Sequence, residues 1–413
     1  MDALFYLTGI AIILFLGLLV SILSDRLKIS NMLLLIIIGI IAGYVEYDGV
    51  KIFEFPSVFL VCIATLALVM IVFDGSSKMK FKEIDELSSK ALKVTGLAML
   101  FNMLLGGLVC YLLFFNEFKI ANIILSLVFG VLMAGTDPGS VFIMFKDSTH
   151  KLLKFLKVEA IVNTPLVVLI PFILLEFISG TEVSIISKLG PFLQQIFTGI
   201  GTGLVMGIII FKLMKKAYSQ QYSPIALLAT TLITYIASEN LGGNGVLAVA
   251  TLGLIFGSVY IKNKSDLSGF SSLLSTSLEI LVFVLVGIII DIPWEPWFII
   301  KSFILFIILI LCRYLALKIT FKEEYPKKSL IFMALNMSKG IAIASVTFTL
   351  ALFTFEGIPT LVNLTLICMI YSLIVATIAS LVAKNFVPDI NSSSSEKDDN
   401  KDVPDLSDEV KDN

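Results

Sequence analysis

The chain has 413 residues, of which 57% are hydrophobic and 15% charged, with a formal net charge of −2 and a mean hydropathy of +0.99. Soluble domains average about 45–50% apolar and 25% charged residues, so this chain lacks the polar material to coat a soluble protein of its size. A disordered chain, a disulfide scaffold and a nucleic-acid binder are excluded, and a polytopic membrane protein remains.

The first apolar stretch, Leu4 to Leu23, follows Met1-Asp2-Ala3 directly. It lacks a basic leading region and a small-residue cleavage site, so it reads as a first span rather than a signal peptide. A spanning helix needs roughly 17–25 mostly apolar residues. Polar, Gly and Pro punctuation divides the chain into thirteen candidates: 3–23, 30–45, 57–74, 91–115, 120–145, 152–178, 186–214, 223–240, 243–260, 270–290, 296–318, 329–355 and 359–385. Cys62, Cys110, Cys312 and Cys368 lie inside these runs and read as small packing residues. With one His in the chain, no classical metal site and no cofactor is expected.

Basic residues test the count independently. With the N-terminus outside, the inner loops hold Arg26 and nineteen lysines, among them Lys78, Lys90, Lys154, Lys216, Lys318 and Lys327. The outer loops hold only Lys51, Lys119, Lys188 and Lys301. A missed span would invert this bias midway, so the pattern predicts thirteen spans in a cell membrane, N-terminus outside and C-terminus cytoplasmic. Residues 1–388 form the membrane domain. From 389 the chain is an acidic, Ser-rich cytoplasmic tail expected to be disordered.

A charge at bilayer depth costs at least about 2.5 kcal/mol, so each one is a functional candidate. Asp137 lies about seventeen residues into the fifth span, in Ala134-Gly135-Thr136-Asp137-Pro138-Gly139-Ser140, near mid-membrane at 1.5 Å per residue. Pro138 removes a backbone donor and the flanking glycines loosen the helix. A broken helix with free carbonyls beside a carboxylate is predicted, which is how transporters build a mid-membrane cation site. In the sixth span Glu159 and Asn163 are four residues apart on one face. With Thr164 they supply oxygen ligands suited to a hard cation, and a buried Glu could also carry protons. Lys339, in Asn336-Met337-Ser338-Lys339-Gly340 of the twelfth span, needs a partner; Asp74, in Phe73-Asp74-Gly75, and Asp137 are candidates. Glu279 and Arg313, on consecutive spans, are expected to form a structural ion pair. Gly199, Gly201, Gly203 and Gly207 read as helix-packing positions.

The fifth and twelfth spans each carry a charge at a break. With the seventh span (186–214) as linker, residues 1–178 and 223–385 form two six-span inverted repeats in which these breaks correspond. Together with Glu239-Asn240-Leu241-Gly242-Gly243-Asn244-Gly245 and Phe283-Val284-Leu285-Val286-Gly287, these motifs resemble the monovalent cation:proton antiporter superfamily, in its NhaP/NHE-type branch. The resemblance covers nearly all of residues 1–385. It implies an all-α fold of thirteen transmembrane helices with two broken, crossing helices, a homodimer, and exchange of Na⁺ (or Li⁺ or K⁺) for H⁺. The family's sixth span usually carries Asn-Asp where this chain has Asn163-Thr164, and Glu159 matches the family's accessory Glu. The implied site is therefore Asp137, Glu159, Asn163, Thr164 and Thr136, with Na⁺ held at Asp137 and Glu159 and with Lys339 and Asp74 balancing charge. A degenerate antiporter fold moving K⁺ or another solute, or acting as a regulator, is the alternative. A membrane enzyme is disfavoured, because no nucleophile–base pair stands at a span end.

Overall fold

In the computed structural model the described residues are 3–387, except 28, 48–49, 52, 54, 79–80, 138–149, 176, 179–184, 217–218, 260–262, 291–292, 294 and 323. The motif residues 138–141 and the acidic tail therefore lie outside the described residues. So do Asp291 and a few of the loop lysines.

The described residues are helical nearly throughout, because long apolar runs satisfy their backbone groups within the segment. The helices are α1 (Ala3–Leu27), α2 (Asn31–Gly43) and α3 (Ser57–Ser77), with a two-residue antiparallel ribbon, β1 (Glu46–Tyr47) and β2 (Val50–Lys51), before α3. Next come α4 (Phe81–Phe101) and α5 (Gly107–Cys110), joined and followed by wide π-helical turns at Asn102–Gly106 and Tyr111–Phe115. Then follow α6 (Ile120–Leu132), α7 (Lys151–Leu175), α8 (Ile185–Lys216), α9 (Ser223–Asn240) and α10 (Gly245–Ser258). The chain ends on α11 (Lys264–Ile289), α12 (Pro296–Phe321), α13 (Lys327–Leu335), α14 (Ile341–Leu350) and α15 (Ile358–Leu381). Among the described residues, eight helical stretches are long and apolar enough to cross a bilayer alone; α2, α6, α10 and α14 are shorter apolar helices. Every helix falls on a segment read as a span in the sequence.

Packing is closest where glycine removes a side chain. A Cβ on Gly39 of α2 would collide with the Val284 carbonyl of α11 and stand 2.8 Å from Gly287 Cα. Gly253 sets α10 against the Phe73 carbonyl of α3 in the same way, and Gly199, Gly203 and Gly207 seat α8 on α10. Gly201 meets nothing within 4 Å, so the α8 glycine stripe serves packing at three of its four positions. Gly39→Val is expected to destabilise the protein by about 1–3 kcal/mol, the usual cost of overpacking, seen as a lower unfolding midpoint in detergent. Gly201→Val should leave that midpoint unchanged.

Two helical paths break inside the bundle. After Leu132, α6 turns at Met133-Ala134 and runs on through residues 135–137 without helical bonding. Between α13 and α14 the five residues 336–340 are likewise unwound. The first break begins four residues before Asp137, earlier than Pro138 alone would place it.

Candidate functional site

The two breaks meet. Asp137 N–H donates to the Ser338 carbonyl at 2.7 Å, and Ser338 Oγ donates to the Asp137 carbonyl. Each unwound strand thus satisfies backbone groups the other would leave unpaired. Lys339, fully buried, donates through Nζ to the Met133 carbonyl at 2.6 Å and the Gly135 carbonyl at 2.8 Å. These are the orphan carbonyls at the C-terminal end of α6, where a cation also meets the negative end of the helix dipole. Lys339 is therefore bound to the break itself, which is why α6 unwinds at Met133.

Gly340 caps α14 and has no room for a side chain, since a Cβ would fall on the Asp137 carboxylate. That carboxylate consequently sits at the N-terminus of α14, where the free N–H groups and the dipole favour negative charge. The paired ends are complementary: Lys339 serves the C-terminus of α6, and Asp137 faces the N-terminus of α14.

A cavity of about 200 Å³ opens beside this crossing, lined by Thr136, Asp137, Asn163, Thr164, Ile71 and Gly340, among others. Asn163 is 1% exposed and donates through Nδ2 to Thr136 Oγ1 at 2.6 Å. Its Oδ1 has no partner among the described residues. A buried amide oxygen without a donor is costly, and it stands in the wall of the cavity that Asp137 lines. Thr164 Oγ1 donates to the Ala160 carbonyl at 2.7 Å. Pro165, lacking an N–H, leaves the Ile161 carbonyl without its helical donor on the same wall.

The structure corrects three expected pairings. Arg313 does not pair with Glu279. Its guanidinium grips Glu159 bidentately, Nη1 to Oε1 at 2.6 Å and Nη2 to Oε2 at 2.9 Å, with both residues at most 2% exposed. Arg313 Nε also donates to the Met333 carbonyl near the end of α13. These consecutive helices face different neighbours: α12 packs on α4, α13 and α15, while α11 packs on α2 and α3. Secondly, Glu159, expected as a cation ligand, is paired with Arg313, each of its carboxylate oxygens accepting from the guanidinium. Thirdly, Asp74 does not meet Lys339. It accepts from Lys78 Nζ at 2.6 Å, one turn further along the same helix, and from Ser272 Oγ of α11 at 3.2 Å.

Two broken helices that cross inside an apolar bundle, each with a charge at its break, define the architecture of the broken-helix secondary transporters. The chain belongs to the sodium/hydrogen exchanger family: the profile of its transmembrane domain matches residues 10–383. Among curated relatives, the K(+)/H(+) antiporter NhaP2 of Shewanella sp. (strain ANA-3) is 25% identical over 291 residues, 69% of this chain and 49% of that protein. A probable Na(+)/H(+) antiporter 2 of Methanocaldococcus jannaschii is 25% identical over 296 residues, 67% of each chain. The chain thus spans about half the length of the NhaP2 relatives it matches. The solved sodium proton antiporter MjNhaP1 of M. jannaschii at pH 8 superposes with a TM-score of 0.78, covering 95% of this chain and 100% of that one at 18% identity, which shows the fold.

Proposed function

We propose that this protein exchanges a monovalent cation, Na⁺ in the first instance, for H⁺ across the cell membrane by alternating access. The observation that carries this reading is the unpartnered Asn163 Oδ1, buried in the wall of the cavity that Asp137 and Thr136 share. A carboxylate, an amide oxygen, a hydroxyl oxygen and a carbonyl freed by Pro165 form an oxygen set suited to a hard cation. Lys339 keeps the crossing neutral when the cavity holds no cation. Among the described residues the cavity is lined by one carboxylate, Asp137, and one basic residue, Lys157; cation and proton compete there, so one must leave as the other enters, and closing the cavity to one side at a time makes the exchange vectorial. One proton per cation makes the cycle electroneutral.

The family names attached to relatives include both Na⁺ and K⁺. Na⁺ is preferred because the oxygen donors are few and hard. Arg313 holds Glu159 as structure, so the cation is assigned to Asp137, Thr136 and Asn163, with Thr164 on the wall. In this reading a core domain that contains the crossing moves against a dimerisation domain, the N-terminus is outside, and the protein works as a homodimer.

In proteoliposomes with an imposed pH gradient and an interior pH-sensitive dye, Na⁺ should dissipate the gradient more strongly than Li⁺ or K⁺. Dissipation by K⁺ alone would replace the cation but keep the exchange. No response to any of the three across roughly pH 6 to 9 would overturn the exchange reading in favour of a non-transporting role.

A further inference from the structure

Glu279 is left over by the site as described. It lies in the interior of α11, half-buried. Among the described residues it has no hydrogen bond and no ion pair, since Arg313 is taken by Glu159. An ionisable group with no partner inside a spanning helix is costly to keep.

Its direction follows from its neighbours on α11. Ser272 Oγ donates to the Asp74 carboxylate, and Ser275 Oγ donates to the Met70 carbonyl at 3.0 Å. Glu279 is four residues after Ser275 and seven after Ser272, so it continues the stripe that α11 turns towards α3. Ile71 of α3, one residue from that Met70 contact, lines the cavity. Glu279 lies within electrostatic range of two other carboxylates, those of Asp137 and Asp74. Besides α3, α11 packs on α1, α2, α9 and α14. α2 carries no charged residue, and α1 brings Arg26 in its last turn. α9 brings Tyr235 and Glu239, the latter accepting from Gly245 N–H. α14 brings no charged residue, and Lys78 is engaged by Asp74.

We propose that Glu279 is the proton-carrying carboxylate of the exchange cycle, while Asp137 and the oxygen of Asn163 hold the cation. The proposal deepens the exchange reading and rests on it. Glu279 interacts electrostatically with Asp137, which lines the cavity, and with Asp74, which Lys78 only partly offsets from the solvent side, and three such carboxylates are costly to hold charged together. With the cavity vacant, a proton on Glu279 removes one of the three charges. When a monovalent cation enters beside Asp137, its positive charge replaces that proton's, and the proton leaves: carboxyl plus M⁺ gives carboxylate with M⁺ nearby plus H⁺. The chain thereby supplies on α11 the exchangeable carboxyl that Thr164 cannot supply on α7.

The test is Na⁺ binding to the purified protein in detergent, read as thermal stabilisation at several pH values, alongside the proteoliposome assay. In the parent protein, apparent Na⁺ affinity should rise about tenfold per pH unit on the acid side, as one-for-one competition with a proton requires. Glu279→Gln should still bind Na⁺, with an affinity that no longer follows pH, and should not exchange. Glu279→Asp should restore exchange with a displaced pH profile. If Glu279→Gln keeps the tenfold slope, the proton is carried elsewhere and the proposal fails. If Glu279→Gln does not fold, an unaltered pH profile in Glu279→Asp overturns it instead. A parent protein that binds and moves no cation would overturn the exchange reading itself, whatever Glu279 does.

Discussion

Glu159→Leu is expected to be the most destabilising single change in the bundle, followed by Arg313→Met, each costing about 3–5 kcal/mol, the range for breaking a fully buried ion pair. The order follows from what each leaves behind. Removing Arg313 strands a carboxylate, but Lys339 is within electrostatic range of Glu159 and a carboxyl can take up a proton and become neutral. Removing Glu159 strands a guanidinium that cannot lose its charge. It also leaves Arg313 and Lys339, whose charges already repel, without the anion between them. The double variant Glu159→Leu with Arg313→Met removes one charge of each sign near Lys339 and should recover most of the loss, because an apolar replacement of a whole buried pair is often neutral. Unfolding midpoints of the three purified proteins check this. A double variant less stable than either single one would show that the pair contributes more than its own charge balance.

Much of the site was legible in the sequence because it is local. Apolar run lengths located the helices, and a Gly-flanked charge inside a run located each break. What could not be read was which charge meets which. Adjacency of spans pointed Arg313 to Glu279, whereas its partner is Glu159. The choice is made by α12 packing on α4 and α13, far along the chain from α11. Asp74 was misassigned for a different reason. Its helix runs on to Ser77, so Lys78 falls one turn beyond Asp74 and reaches it as an i, i+4 pair. A span ended at residue 74 hides that neighbour. The early unwinding of α6 was hidden too, because its cause is Lys339, two hundred residues away, drawing off the Met133 and Gly135 carbonyls.

These corrections separate two sets of charge. Glu159 and Arg313 close on each other, and Arg313 ties α13 to that closure through the Met333 carbonyl. Lys339 closes on carbonyls. Both act on the crossing as scaffold. Glu279, within electrostatic range of the cavity-lining Asp137, is the carboxylate that this scaffold does not consume, while Asp74 is held by Lys78. In the proposed cycle a chain carrying Asn163-Thr164 still holds an exchangeable carboxyl, on α11 rather than on α7.

Asp137→Asn is expected to abolish measurable exchange, by on the order of 100-fold or more, while leaving the fold intact. The two contacts that tie residue 137 to Ser338 use its backbone N–H and carbonyl, which Asn retains, and the side chain that must fit against Gly340 has the same shape. What disappears is the negative charge beside the cation. At about 4 Å and an effective dielectric of about 20, that interaction is worth about 4 kcal/mol, and each 1.4 kcal/mol is about tenfold in affinity; desolvation takes back part of it. The unfolding midpoint should therefore stay near that of the parent protein, while Na⁺ no longer stabilises it and no longer dissipates a pH gradient in proteoliposomes. An Asp137→Asn protein that exchanged Na⁺ at the parent rate would move the cation site away from the helix crossing.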